Sequence, residues 1–331
     1  MSPRRRAGGL AIAVALLAAA TAVRLLAVRT LEGSVELGFP GGAIGDIRLA
    51  CVGSAAAAGG ALGASGWILQ SLLRNPLASP FVLGVTGGAG AGVAIAAVAA
   101  ASAGVAAPAG VALTIPSSVG AIGALALVLL LARRNGSIDP MTLALGGVIV
   151  GTVTAGMSAV AESLLPPDRR GMLAGWLFGR IPESPDAAVL LGCAACAAGL
   201  GIAGWTLGPR LDAATLSDDE ARSVGVPLGS MRAALFVSCG IATASTVALC
   251  GPIAFVGLIA PHCARALVGA GSRCGVMTSV LSGAALLVGA DALRQWIDLG
   301  AGRLPLGAVT AVLGGAAFLA LLRRTAAGWM P

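Results

Sequence analysis

Residues 62–92 read LGASGWILQSLLRNPLASPFVLGVTGGAGAG, and this stretch decides the fold. A long apolar run meets a polar break bracketed by two prolines, then turns glycine-rich. Pro76 and Pro80 lack a backbone donor and disfavour helix at the residue before each, so Asn75 and Ser79 are driven extended. The preceding helix must then end near Arg74, with the Asn75 side chain placed to cap the freed backbone groups. Gly84, Gly87, Gly88, Gly90 and Gly92 allow close approach of a following helix to its neighbours. The expectation is two apolar helices joined by a built break inside a membrane bundle.

Composition agrees with that reading. The chain has 331 residues, 57% hydrophobic and 11% charged, with a mean hydropathy of +0.94. Apolar stretches recur at about 20 residues, the length a helix needs to cross the hydrocarbon layer. An all-α, polytopic transmembrane bundle of about ten spans with broken helices is expected, as one transmembrane domain over residues 1–331. The basic residues are all Arg, so no Walker A lysine or Schiff-base lysine exists in this sequence. ATP hydrolysis would have to come from another chain. The net charge of +7 calls for no nucleic acid, because arginine-rich loops on one membrane face are ordinary.

Spans are expected at about 8–28, 49–72, 81–103, 109–132, 140–165, 187–207, 231–250, a short 253–270, 276–297 and 304–322. The first, behind Arg4, Arg5 and Arg6, reads as a retained helix rather than a cleavable signal because its apolar run is longer than a signal core. Residues 30–47 and 166–186 read as loops on the opposite face. Ten spans put both ends on one side, and 13 of the 21 Arg fall on that side under this map. Cytoplasmic termini in a bacterial cytoplasmic membrane follow as the expectation.

The one sizeable polar stretch is LGPRLDAATLSDDEARSVGVPLGSMR, residues 207–232. Ser217 and Glu220 have capping-box spacing, and Asp218 and Asp219 lie in the first turn where the helix dipole favours acids. Gly225 and Pro227 stop it. A helix of about seven residues is too short to persist alone and needs a surface to lie on. An ordinary capped connector would look the same.

Other chemistry-bearing residues are sparse. His262 is the sole histidine, and no acid lies within ten residues of it, so neither bis-His haem ligation nor a metal cluster is indicated, and no cofactor is expected. Capping a broken helix is its expected role. Asp291 and Arg294 share a helix face, as an ion pair or, less economically, a proton relay. Glu162 stands alone near a span end. Cys193 and Cys196 form a CxxC in an apolar run with no partner pair and read as small filler. Gly63–Gly66 has the G-x-S-G form of rhomboid-type intramembrane serine proteases, which would pair Ser65 with His262, but the tetrad is common at this glycine content. Breaks near 75–80 and 251–261 also fit a proton-coupled secondary transporter, against which the scarcity of acids within the spans argues.

Three ordered stretches carry a family resemblance. Residues 63–92, 251–265 (GPIAFVGLIAPHCAR) and 304–324 (LPLGAVTAVLGGAAFLALLRR) resemble the signatures of the FecCD-type ABC permeases, which import iron-siderophores, haem or cobalamin. The matching positions are Gln70, Asn75, Pro76, Pro80 and Gly84 in the first, Gly251, Pro252, Gly257, Pro261, His262 and Arg265 in the second, and Pro305 and Gly307 in the third. Asp291 is grouped with them as a structural or translocation residue. The segment Ala221, Arg222, Ser223, Val224, Gly225, Val226 resembles the loop that docks on the ATPase, which turns the capped connector into a coupling helix with Ser217 and Glu220 as its cap. GWLFGRIPE resembles a W-x-x-G-S segment, with Arg180 in place of Ser.

The resemblance implies a second permease, copy or paralogue, two ABC ATPase subunits, and a substrate-binding lipoprotein or periplasmic protein delivering a ferric siderophore. Besides Arg180, the chain departs from the family in three places. The R-x-P-R pair that meets the binding protein keeps Arg48 but has Cys51 for its second Arg. Arg303 stands where the terminal signature has Glu, and Ala316 replaces a Pro. Since charge complementarity sets docking register, either the partner's acidic pattern is expected to differ or its grip to be weaker.

Overall fold

A computed structural model describes residues 3–29, 35–38, 41–106, 108, 110–134, 137–297 and 304–327. Twelve helices account for nearly all of them: α1 (Pro3–Leu26), α2 (Gly42–Leu72), α3 (Val85–Ser102), α4 (Thr114–Ala132), α5 (Pro140–Leu164), α6 (Pro167–Leu177), α7 (Ala187–Ala214), α8 (Asp218–Ser223), α9 (Leu228–Cys250), α10 (Val256–Val268), α11 (Ser272–Trp296) and α12 (Leu306–Ala327). Two short antiparallel ribbons, β1 (Ala27–Arg29) with β2 (Val35–Leu37) and β3 (Arg133–Arg134) with β4 (Ser137–Ile138), close the α1–α2 and α4–α5 links. Among the described residues eight helices are long and apolar enough to cross a membrane, and Val256–Val268 and Leu306–Leu319 are shorter apolar ones. The ten expected segments thus divide into eight and two.

Several boundaries move, each for a visible reason. α2 begins at Gly42 rather than near 49, carrying Asp46 and Arg48 on two first turns that lie beyond the apolar run. α7 runs through Pro209 to Ala214. An interior proline forfeits one ladder bond, which a neighbouring helix in a bundle tolerates. Residues 167–177, expected as loop, form α6, started by Pro167 at a position where a missing N–H costs nothing.

α2 is the centre of the bundle, buried from Ala57 to Leu72 and wrapped by α11, α7, α9 and α10. Its contact with α11 is a backbone seam: a Cβ on Gly59 would run into the Gly283 carbonyl, and one on Gly283 into the Gly59 carbonyl. Ser279 Oγ donates to the Gly63 carbonyl at 2.7 Å along the same seam. Lipid-embedded helices gain little from burying apolar surface against one another, so close dispersion contact and such bonds supply the adhesion.

At the far end of that seam a charged cluster is buried. Asp291 on α11 accepts from Arg294 Nε at 2.6 Å and from Arg24 Nε on α1, with side chains 0%, 8% and 5% exposed. Gln295, with its amide oxygen turned to the guanidinium, also accepts from Arg24. The i,i+3 pair expected from sequence is therefore two-thirds of a triad whose third member comes from the first helix.

Candidate functional site

The N-terminal face of the bundle gathers the α2–α3 link, the α7–α9 link and the ends of α10 and α11. Arg6 lies beside Gly271, and the Asp212 carboxylate accepts from the Ser272 N–H at 2.9 Å. α8 is laid on this face. Ser217 Oγ accepts from the Glu220 N–H at 3.3 Å while Glu220 Oε2 accepts from the Ser217 N–H at 2.9 Å, completing the capping box. The Ser217 hydroxyl, donating to Glu220 Oε2 at 2.6 Å, and then the Ser217 N–H lower the Glu220 carboxyl from its ordinary value. At the other end the Val226 N–H reaches the Ala221 carbonyl (3.1 Å) and the Gly225 N–H the Arg222 carbonyl (2.9 Å), the Schellman pattern, with Gly225 at φ 79. Ser223 Oγ donates to the Glu220 carbonyl.

The helix has two sides. Ala221 and Val226 are buried in the core, whereas Arg222 and Val224 face outward at the surface. Asp218 ties it down: both Arg232 terminal nitrogens donate to it at 2.9 Å from α9, and Arg74 Nη2 donates at 2.6 Å from the end of α2. The two guanidiniums, Arg232 first, hold the Asp218 carboxyl down to about 2. Arg74 sits in the left-handed region (φ 48) and its Nε also donates to the Ala214 carbonyl at 3.0 Å, closing α7. Sequence placed Asp218 on a helix dipole and Arg74 at a helix end. It gave no sign that they meet across 144 residues.

One turn back on α2, the first and second signature stretches interlock. Gln70, which is buried, donates to the carbonyls of Ala78 (3.2 Å) and Leu258 (3.4 Å) and accepts from Arg265. The Arg265 guanidinium lies over the Trp67 ring, 4.5 Å from its centroid, and Trp67 Nε1 donates to Ser272 Oγ. Asn75 Oδ1 accepts from the Leu77 N–H at 2.9 Å, an Asx turn inside the break. Pro76 lines a cleft of about 540 Å³ with Trp67, Gln70, Arg74, Asp212 and Arg265. Pro80 opens a 3-10 turn, Pro80–Leu83, which Gly84 (φ 70) joins to α3, and the Pro80 ring packs where a Cβ on Gly257 would stand.

His262 Nδ1 pairs with the Leu258 carbonyl at 2.8 Å within α10, and its ring meets Phe318 of α12 edge-on. The role expected of it was a cap on a broken helix; here the ring bonds a carbonyl inside α10. Pro261, inside α10, leaves the Gly257 carbonyl without its helical donor, and Gly66 lies against that carbonyl. The Ser65 hydroxyl is buried without a hydrogen-bond partner, so no Ser65–His262 dyad forms.

The remaining motif residues meet at the opposite end. Gly251 (φ 70) and Pro252 end α9; the Arg180 N–H donates to the Cys250 carbonyl at 2.7 Å, and the Gly307 N–H to the Phe178 carbonyl at 2.8 Å. A Cβ on Gly307 would strike that carbonyl, so the terminal signature closes onto the GWLFGR link. Pro305 starts α12, its carbonyl accepting from the Val309 N–H. Ala316 is exposed on α12, and Arg303 lies outside the described residues. Arg48 Nη1 donates to the Leu25 carbonyl, and Cys51, buried, donates to the Pro182 carbonyl from beneath the same link.

The model of the FecCD transport family matches residues 10–324. The chain belongs to that family. It is 33% identical over 329 residues to the ferric enterobactin transport system permease protein FepD of Escherichia coli (strain K12), covering 95% of this chain and 94% of the relative. It is also 32% identical over 299 residues to the cobalamin import system permease protein BtuC of Halobacterium salinarum, covering 85% and 73%. An inward-facing structure assigned to a metal-chelate type ABC transporter superposes with a TM-score of 0.80 at 26% identity, covering 96% of this chain and 99% of the other. The chain is accordingly a multi-pass membrane permease of the FecCD family.

Proposed function

We propose that this chain is the membrane-spanning subunit of an ATP-binding-cassette importer that carries a ferric siderophore inward across a bacterial cytoplasmic membrane. The observation that carries the reading is the family match over residues 10–324. The whole chain acts as one transmembrane domain. Its N-terminal face is cytoplasmic, with both termini there, in keeping with the Arg excess on that side.

In this reading two ATPase subunits dock on that face, and α8 with its flanks, Ser217 to Val226, receives their motion. A second permease completes the pathway, and a binding protein delivers substrate to the opposite face near Arg48. Nucleotide chemistry stays in the ATPase, since this chain has no lysine to cradle phosphates.

The test is uptake of radiolabelled iron as catecholate, hydroxamate and citrate chelates by cells expressing the chain with its ATPase and binding protein, against a Walker-dead ATPase. Loss of uptake with the dead ATPase supports the importer. Uptake indifferent to the ATPase sinks it and returns the secondary-carrier reading, while ATPase-dependent uptake of cobalamin or haem alone changes the substrate and leaves the importer standing.

A further inference from the structure

α8 must transmit displacement to the spans, and among the described residues its side-chain hydrogen bonds to other helices come from one residue, Asp218. That carboxylate reaches two helices at once. Arg232 lies on α9, the helix that follows α8 in the chain and would be moved by covalent connection alone. Arg74 is different: it closes α2, the central helix, and the break 75–80 begins at the next residue. The Asn75 N–H is bonded to the Gln70 carbonyl at 3.2 Å, so the turn that carries Arg74 is stitched back to Gln70.

Gln70 then spans both helix breaks. Its amide nitrogen bonds Ala78 in the first and Leu258 just after the second, which in the structure is 251–255, and its oxygen takes a bond from Arg265, seven residues further along α10. Trp67 backs the Arg265 guanidinium and ties it to α11 through Ser272. A half-buried guanidinium fixed on one face by an aromatic ring and at one edge by an amide has little freedom to absorb motion. Bonds made on side chains so constrained pass displacement on rather than dissipate it.

We propose that Arg74, Gln70 and Arg265 are positioning residues that carry displacement of Asp218 to both helix breaks and thereby set how much substrate moves per ATP hydrolysed. The inference rests on the importer reading above and goes beyond it, for it names the intramolecular route. Direct displacement of α9 through Arg232 is the competing route, and it leaves Gln70 without a part in coupling.

The experiment uses the complete importer (permease, ATPases and binding protein) in membrane vesicles, with the iron chelate that the wild type accumulates, and reads uptake, ATP hydrolysis and thermal unfolding together. Gln70→Leu and Arg74→Met are expected to lower substrate carried per ATP about fivefold or more, in the range of ordinary coupling energies, with hydrolysis and unfolding temperature near wild type. Arg74→Lys, which keeps the charge, is expected to recover part of the ratio, and Gln70→Leu combined with Asp218→Asn to fall no further than the worse single variant. An unchanged ratio in both single variants overturns the proposal. So does uptake that falls only in step with hydrolysis and unfolding temperature, or an additive double variant. If wild-type uptake ignores a Walker-dead ATPase, the importer reading has failed instead, and that outcome is visible before any variant is made.

Discussion

Among the described residues the same device occurs twice, one carboxylate between two guanidiniums, in different surroundings. Asp218 sits at the N-terminal face with its side chain 39% exposed, between Arg74 and Arg232. Asp291 sits within the bundle at 0%, between Arg24 and Arg294. Water reaches Asp218 and Arg74 and weakens their attraction, although Arg232 is only 7% exposed, so the clamp adds less to stability than a fully buried one. Around Asp291 no water competes, and each cation left without its counter-ion would be stranded in a poorly polarisable interior. One arrangement suits a joint and the other a rivet.

The largest expected effect breaks the rivet. Asp291→Asn should destabilise the protein by about 3–5 kcal/mol, read as a lowered unfolding temperature in detergent or as poor accumulation in the membrane. Replacing all three residues by apolar ones of similar volume (Arg24→Met, Asp291→Leu, Arg294→Met) should recover most of that loss, because an apolar core has no charge to strand. An unchanged unfolding temperature in Asp291→Asn would place the two clusters on the same footing. Asp218→Asn should cost about 1 kcal/mol at most, and its cost should shrink in high salt while that of Asp291→Asn does not.

Smaller still is Ser217→Ala, which should free α8 only locally, by about 0.5 kcal/mol, seen as faster amide hydrogen exchange in 218–224 with the global unfolding temperature unchanged. The smallest effect is that of acid. The Asp218 carboxyl is lowered in the folded protein from 3.8 to about 2, so its contribution is complete above the ordinary carboxylate value and is lost as pH falls through about 2. The difference in unfolding temperature between wild type and Asp218→Asn should therefore be flat from neutrality to about pH 5, and close below about 4.

What sequence could show of these clusters follows the distance between their parts. Asp291 and Arg294 are three residues apart on one helix face, and Ser217 and Glu220 three apart at a helix start, so local geometry brings each pair together. Arg24 reaches Asp291 across 267 residues and Arg265 reaches Gln70 across 195, and no periodicity encodes such meetings. The bundle of ten apolar segments was legible because each span must satisfy its own backbone in lipid, a strictly local demand. α6 was not: Pro167, Arg169 and Arg170 make its start look like a loop, and only the proline's tolerance of a first turn makes helix reasonable there. The resemblance in three stretches gave the family, yet the motifs did not announce that Gln70 of the first grips Arg265 of the second.

The seam between α2 and α11 limits what any push can do. Where Gly59 and Gly283 meet, peptide planes rest on each other with no side chain between them. A side chain can change rotamer and take up slack; a carbonyl against an α-carbon cannot. The two helices are in effect one stiff beam, so a stroke arriving at either must tilt both, and the yielding has to happen at its ends, where the chain turns at Gly42 and Arg74 on either side of α2 and at Gly269 before α11.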